Sequence, residues 1–114
     1  MTGMIYHMCR AEVWQEAERA GAYSGSADDL RDGFIHFSTG EHVAESARRH
    51  RAGESGLVLI AVDPVRLGDR LKWEPARDGQ LFPHLYGKLL PSEVASVQPL
   101  PLGPDGLHMF PWLA

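Results

Sequence analysis

The sequence predicts an α+β fold, with two helices packed on a small mixed or antiparallel sheet. Two features carry this. Strand-then-helix units open the chain, at IYHMCRAEVWQEAERAG and at GFIHFSTGEHVAESARRH. Strand-like segments without helices follow as far as Pro101. A doubly wound parallel sheet would need a helix at each crossover, and the sequence offers too few.

The first element is a short strand over residues 4–8, MIYHM. The helix after it carries Val13, Trp14 and Ala17 on one face, with Glu12, Glu16 and Arg19 turned away. Gly21 is placed to cap its C-terminus. Residues 22–32, AYSGSADDLRD, are polar and turn-rich, a loop with room for one helical turn from Ser26. GFIHFS is the second strand. Ser38-Thr39-Gly40-Glu41 then matches a capping box, Ser38 as N-cap and Glu41 three residues on. Val43, Ala44 and Ala47 mark that helix's buried stripe, Arg48, Arg49 and Arg51 suit its negative end, and Gly53 closes it.

LVLIAVD, residues 57–63, is the most apolar run and reads as the central strand, covered on both faces until Pro64 stops it. RLKWEP is a strand with Leu71 and Trp73 on one face and Lys72 and Glu74 on the other. Asp78-Gly79 is a hairpin-type turn. LFPHLYG follows, with Phe82, His84 and Tyr86 sharing a face. Pro83 cannot donate to a ladder, which places this strand at an edge. Val94 and Val97 mark a last strand closed by Pro99 and Pro101, and the tail 102–114 docks irregularly.

A chain of 114 residues, 44% hydrophobic and 23% charged, suits one globular domain over 1–114. Its formal net charge of -4 makes it a poor general binder of phosphate backbones, so nucleic acid is not the expected partner. Cys9 is the one cysteine and cannot form an intrachain disulfide, which fits a reducing cytoplasm. The start shows no secretory signal, and no apolar run reaches the length of a membrane span.

The chemistry-bearing candidates are polar groups in apolar strands. His36 sits in GFIHFST just before a strand-to-helix junction, where free helix N–H groups can receive an anion. Its structural alternative is a core histidine bonded to a carbonyl. His7 precedes a similar junction, with Cys9 near the helix start, where a thiol pKa can fall, but no Cys-His-Asn spacing is present and a buried structural Cys9 is expected. Glu74, at a strand end beside Trp73, could orient a sugar hydroxyl or stabilise a cationic transition state, or be a solvated charge. His84 and Tyr86 could form a ring-stacking wall or the rim of a core. The zinc spacings HExxH and CxxC are absent, so no metal is expected. Walker A, GxGxxG and GxSxG are absent as well.

IYH, the helix with Trp14, GFIHFST, LVLIAVDP, WEP and LFPHLYG, in that order, resemble the domain of unknown function 952 family over about residues 4–101. That family is similar to the ADP-ribosyltransferase-like superfamily, whose fold is a split pair of small sheets holding NAD in a cleft. The resemblance implies that His7 hydrogen-bonds a ribose of NAD, and that His36, Ser38 and Thr39 form the second motif, near the nicotinamide ribose. For the third motif, normally a Glu on a late strand, Glu74, His84 and Glu93 are the candidates. His36, Glu74 and His84 are thus the catalytic expectations, and His7, Ser38, Thr39 and Tyr86 the cofactor-binding ones. The implied function is binding of NAD, or of a related nucleotide-like small molecule, with transfer or hydrolysis of ADP-ribose. The alternative is a non-catalytic nucleotide-binding or protein-interaction module with structural histidines.

Overall fold

The computed structural model describes residues 3–76 and 79–113 and shows an α+β fold with two antiparallel sheets. The larger has the order β3-β1-β4-β7, built from Ser38–Thr39 (β3), Ile5–Arg10 (β1), Leu57–Val62 (β4) and Val94–Leu100 (β7). The smaller has the order β2-β6-β5, from Ile35–His36 (β2), Leu81–Leu85 (β6) and Leu71–Pro75 (β5). Among the described residues three α-helices accompany them: α1 (Ala11–Ala20), α2 (Ala27–Asp32) and α3 (Val43–His50).

β4 is the covered strand its composition predicts. On one face Ile60 and Val62 join Ile5 and Cys9 of β1, Trp14 and Ala17 of α1, Ile35 of β2 and Leu85 of β6 in a core that links both sheets. On the other, Leu57 and Leu59 pack with Met8, Leu100, Phe110 and the stripe Val43 and Ala47 of α3. Both faces are occupied, so a period-two alternation is invisible and the strand reads as continuously apolar. Helix α1 ends as expected, with Gly21 left-handed at φ 88. Trp14 and Ala17 are buried, whereas Val13 is 39% exposed at the margin of that face.

The turn-rich segment carries helix from Ser26 as expected, in α2, capped by Ser26 in a capping box with Asp29 and bringing the α-helices described to three rather than two. Several expectations are corrected. The second box, at Ser38, does not form. Ser38 and Thr39 pair with Tyr6 and Ile5 of β1 as a strand, and α3 starts only after His42, which makes no side-chain cap bond. Ser38 is buried, and its hydroxyl bonds that of Ser46 at 3.1 Å. The last turn of α3 is basic as expected, through Arg48, Arg49 and His50, but Arg51 rather than Gly53 follows as C-cap.

Pro83 lies in the middle strand of the smaller sheet, not at an edge. It is tolerated because β2 is only two residues long. The Phe37 N–H donates to the Pro83 carbonyl at 3.0 Å, Pro83 has no N–H to return, and the ladder ends there. β7 runs through Pro99 to Leu100. At the expected hairpin turn, the Ala76 N–H donates to Gln80 at 2.8 Å, and Asp78 lies outside the described residues. Among the described residues, no helix is long and apolar enough to cross a membrane.

Candidate functional site

A cleft of about 370 Å³ takes its lining from both sheets and from α2 and α3. His7 from β1, His36 from β2, Ser38 from β3 and His84 from β6 all contribute to it. Four of the sequence-predicted residues are therefore brought together. Thr39, Glu74 and Tyr86 do not line it. The Glu93 carboxylate is bonded to Arg70 and to the Leu90 N–H, which occupies it away from the cleft.

The centre of the site is a residue the sequence reading passed over. Asp29, at the third position of α2, is buried and accepts four hydrogen bonds. Oδ2 takes the Ser26 N–H at 2.7 Å and the Ser26 hydroxyl at 3.1 Å. Oδ1 takes the His36 backbone N–H at 3.0 Å and the His36 ring Nδ1–H at 2.6 Å. Burial alone would raise the Asp29 pKa. The His36 ring bond and the backbone donors of Ser26 and His36 outweigh it and hold the carboxyl at about 2.

His36 is thereby fixed between two carboxylates. Its Nε2 lies 3.1 Å from Asp32 Oδ2, one turn further along the same short helix. The Asp29 bond, opposed by partial burial and aided by Asp32, raises its pKa and favours the imidazolium. About 40% of its side chain is exposed. The anion-receiving helix terminus expected beside His36 is absent, because strand β3 occupies that place.

His7 is buried with both nitrogens engaged. Nδ1–H donates to the His36 carbonyl at 2.6 Å, so neutral His7 has Nε2 as an acceptor, and the Tyr23 hydroxyl donates to it at 2.6 Å. Burial lowers its pKa despite Asp29, whose Oδ2 is 3.7 Å away. With no ring nitrogen to spare, His7 acts on the cleft by holding the His36 backbone and Tyr23. Cys9 is the buried structural thiol expected, in β1, and burial pushes it up to about 11, away from reactivity.

The third histidine has a carboxylate of its own. His84 Nδ1–H donates to Glu74 Oε1 at 2.7 Å, and the Tyr86 hydroxyl donates to the same oxygen at 2.8 Å. Those two bonds, His84 first, lower the Glu74 pKa. Phe34 stacks on His84, centroids 4.0 Å apart and planes 21° apart. His84 in β6 and Tyr86 just beyond it reach the same Glu74 oxygen, so the two share a face as their spacing predicts.

Asp29, Asp32, Tyr23 and Phe34 were the missed members. A signal for Asp29 existed, since Ser26-x-x-Asp29 is itself a capping-box pattern. Among the described residues, no group of three His, Cys, Asp or Glu side chains could hold a metal ion.

The sequence matches the family model described as protein of unknown function, DUF952, over residues 8–97. Protein CC0527 from Caulobacter crescentus is similar throughout. Its crystal structure superposes with a TM-score of 0.90 at 45% identity, covering 93% of each chain. Its solution NMR structure gives 0.84 at 45% identity, covering 93% of this chain and 91% of that one. No curated protein matches.

Proposed function

This chain belongs to the DUF952 family of proteins of unknown function, and on that footing we propose that its cleft binds a nucleotide-like small molecule, NAD or a relative of it. The observation that carries the reading is the pairing of His36 with His84 on the cleft wall. Each imidazole is locked by a carboxylate, and Phe34 lies flat against one of them. Fixed polar rings on a cleft that Tyr6, Phe37 and Phe82 also line suit a ligand that combines a flat base with hydroxyl and phosphate oxygens. The cleft volume falls at the small end of the range for such sites, roughly 300–1,000 Å³. A cytoplasmic setting, where such nucleotides are plentiful, accords with the buried free thiol of Cys9.

Transfer or hydrolysis of ADP-ribose is the chemistry the ADP-ribosyltransferase-like resemblance adds. It would need a carboxylate, or a comparable oxygen, to stabilise the cation developing at the ribose. Asp29 and Asp32 line the cleft but both are committed to His36, and Glu74 sits behind His84. Binding is therefore the function the geometry supports best. The test is NMR titration of the full chain with NAD, ADP-ribose, nicotinamide and a 2'-phosphorylated nucleotide. Saturable shifts centred on His36, His84 and Phe34 are the expected result. Absence of binding to all four would overturn the proposal, and release of nicotinamide from NAD would establish the transferase chemistry as well.

A further inference from the structure

His36 and His84 are cross-strand partners in register, their ring centroids 5.7 Å apart and their planes at 68°. Each gives Nδ1–H to a carboxylate, Asp29 at 2.6 Å and Glu74 at 2.7 Å. A carboxylate on Nδ1 fixes the tautomer and the ring, and leaves Nε2 as the nitrogen that exchanges protons. The two Nε2 atoms are not alike. That of His36 lies 3.1 Å from Asp32 Oδ2, a contact that favours a proton on it. His84 is bonded to Glu74 through Nδ1 alone in the described hydrogen bonds, which leaves Nε2 to accept one.

We propose that the cleft is an acid–base site for water attack on a small phosphodiester of a nucleotide, with His84 as the base and His36 as the acid. This rests on the reading that the cleft binds a nucleotide-like molecule. In the step, His84 Nε2 takes a proton from water while the water oxygen bonds to phosphorus. The bond from phosphorus to the ester oxygen breaks, and that oxygen displaces Asp32 from His36 Nε2 and takes its proton. One water is consumed, and a phosphomonoester and an alcohol are released. Both imidazoles then recover their starting states by exchange with solvent.

Three observations favour phosphorus over the ribose carbon. Displacement at phosphorus needs one proton removed and one delivered, which two neighbouring imidazoles supply, and needs no uncommitted carboxylate. The described lining residues set Asp28, Asp29 and Asp32 against Arg31, Arg51 and the imidazole of His36, a balance that suits a singly charged diester better than a polyphosphate. The volume of about 370 Å³ suits one nucleotide unit.

The experiment incubates the full chain with 2',3'-cyclic AMP, 3',5'-cyclic AMP and NAD, followed by phosphorus NMR for the products and proton NMR for binding. Conversion of a cyclic diester to its monoester is expected. His84→Gln and His36→Gln should each slow turnover at saturating nucleotide by about 10²–10⁴-fold, the usual weight of a general acid or base. If neither variant folds, the wild-type result alone decides. A cyclic nucleotide that binds and stays intact would overturn the acid–base step and leave nucleotide binding standing. Nicotinamide released from NAD without diester cleavage would overturn it in favour of chemistry at the ribose. Absence of binding to every probe would overturn both readings at once.

Discussion

At the scale of single residues, Asp29 organises more of the site than any histidine does. Its carboxylate ties the start of α2 to the backbone and ring of His36, so Asp29→Asn strands donors on both sides. The loss should be about 3 kcal/mol, the low end for breaking a buried pair, because His36 keeps Asp32. Urea unfolding at neutral pH measures it, and a loss well under 1 kcal/mol would contradict the role. The pH dependence has a definite sign. The folded carboxyl lies near 2, below its ordinary 3.8, so its contribution is complete above about pH 4 and disappears as pH falls through 2. That contribution is about 2 kcal/mol, and Asp29→Asn should lack this acid-side loss. His36 is shifted the other way: stability from its ion pairs is complete below its ordinary 6.5 and is lost as pH rises through the raised value. This is the same Asp29–His36 interaction viewed from its other partner, so the two contributions do not add. His7, kept neutral by burial, contributes stability above 6.5 that is lost as pH falls through its lowered value. NMR titration should therefore find His7 ionising below 6.5 and His36 above it; the reverse order would show that the two environments have been misassigned.

At the scale of elements, two serines that look equivalent in sequence should behave differently. Ser26-x-x-Asp29 and Ser38-x-x-Glu41 both carry the capping pattern, yet only the first caps a helix. Ser26→Ala should cost about 1 kcal/mol as a lost N-cap, and should also shift the His36 ring signals, because Asp29 loses a donor. Ser38→Ala removes one buried hydroxyl bond, about 0.5–1.5 kcal/mol, and should leave His36 unmoved. Thermal unfolding and histidine NMR on the pair separate the two cases. The contrast also shows what was legible. The apolar run of β4, the face of α1 around Trp14 and the Gly21 cap follow from local pattern. The choice between two capping boxes does not, because pairing of Ser38 and Thr39 with β1 decides it, a contact more than thirty residues away in sequence. Pro83 misled for a related reason, since the rule against proline inside a sheet assumes neighbouring strands long enough to need its N–H. The histidines stood out because an imidazole in an apolar strand is unusual. Asp29 and Asp32 did not, because acids in a polar turn-rich stretch are ordinary until the fold turns that stretch back onto β2.

At the scale of the whole molecule, the question is whether the cleft has rigid walls. The two sheets are separate ladders, and the site lies where they meet, so independent motion of the smaller sheet would pull His36 and His84 away from His7. Against this stands the core on the first face of β4. Ile35 and Leu85 of the smaller sheet are buried with Ile5, Ile60 and Val62 of the larger, and Trp14, Tyr23 and Leu89 complete the cluster. A continuous apolar core of this kind makes the separation of the sheets as costly as unfolding, because neither can leave without exposing the other. Backbone amide signals of His84 in β6 and of Ile60 in β4 should consequently disappear at the same urea concentration. Leu85, fully buried at the junction, supplies the sharper test. Leu85→Ala should destabilise by about 2–5 kcal/mol through lost burial and a residual cavity. If the core is shared, that loss should lower both midpoints together with the denaturant slope unchanged. If the smaller sheet is an independent unit, the midpoint of His84 should fall alone while that of Ile60 stays in place. The histidines would then be mounted on a movable wall, and the fixed geometry that supports ligand binding at this cleft would be lost.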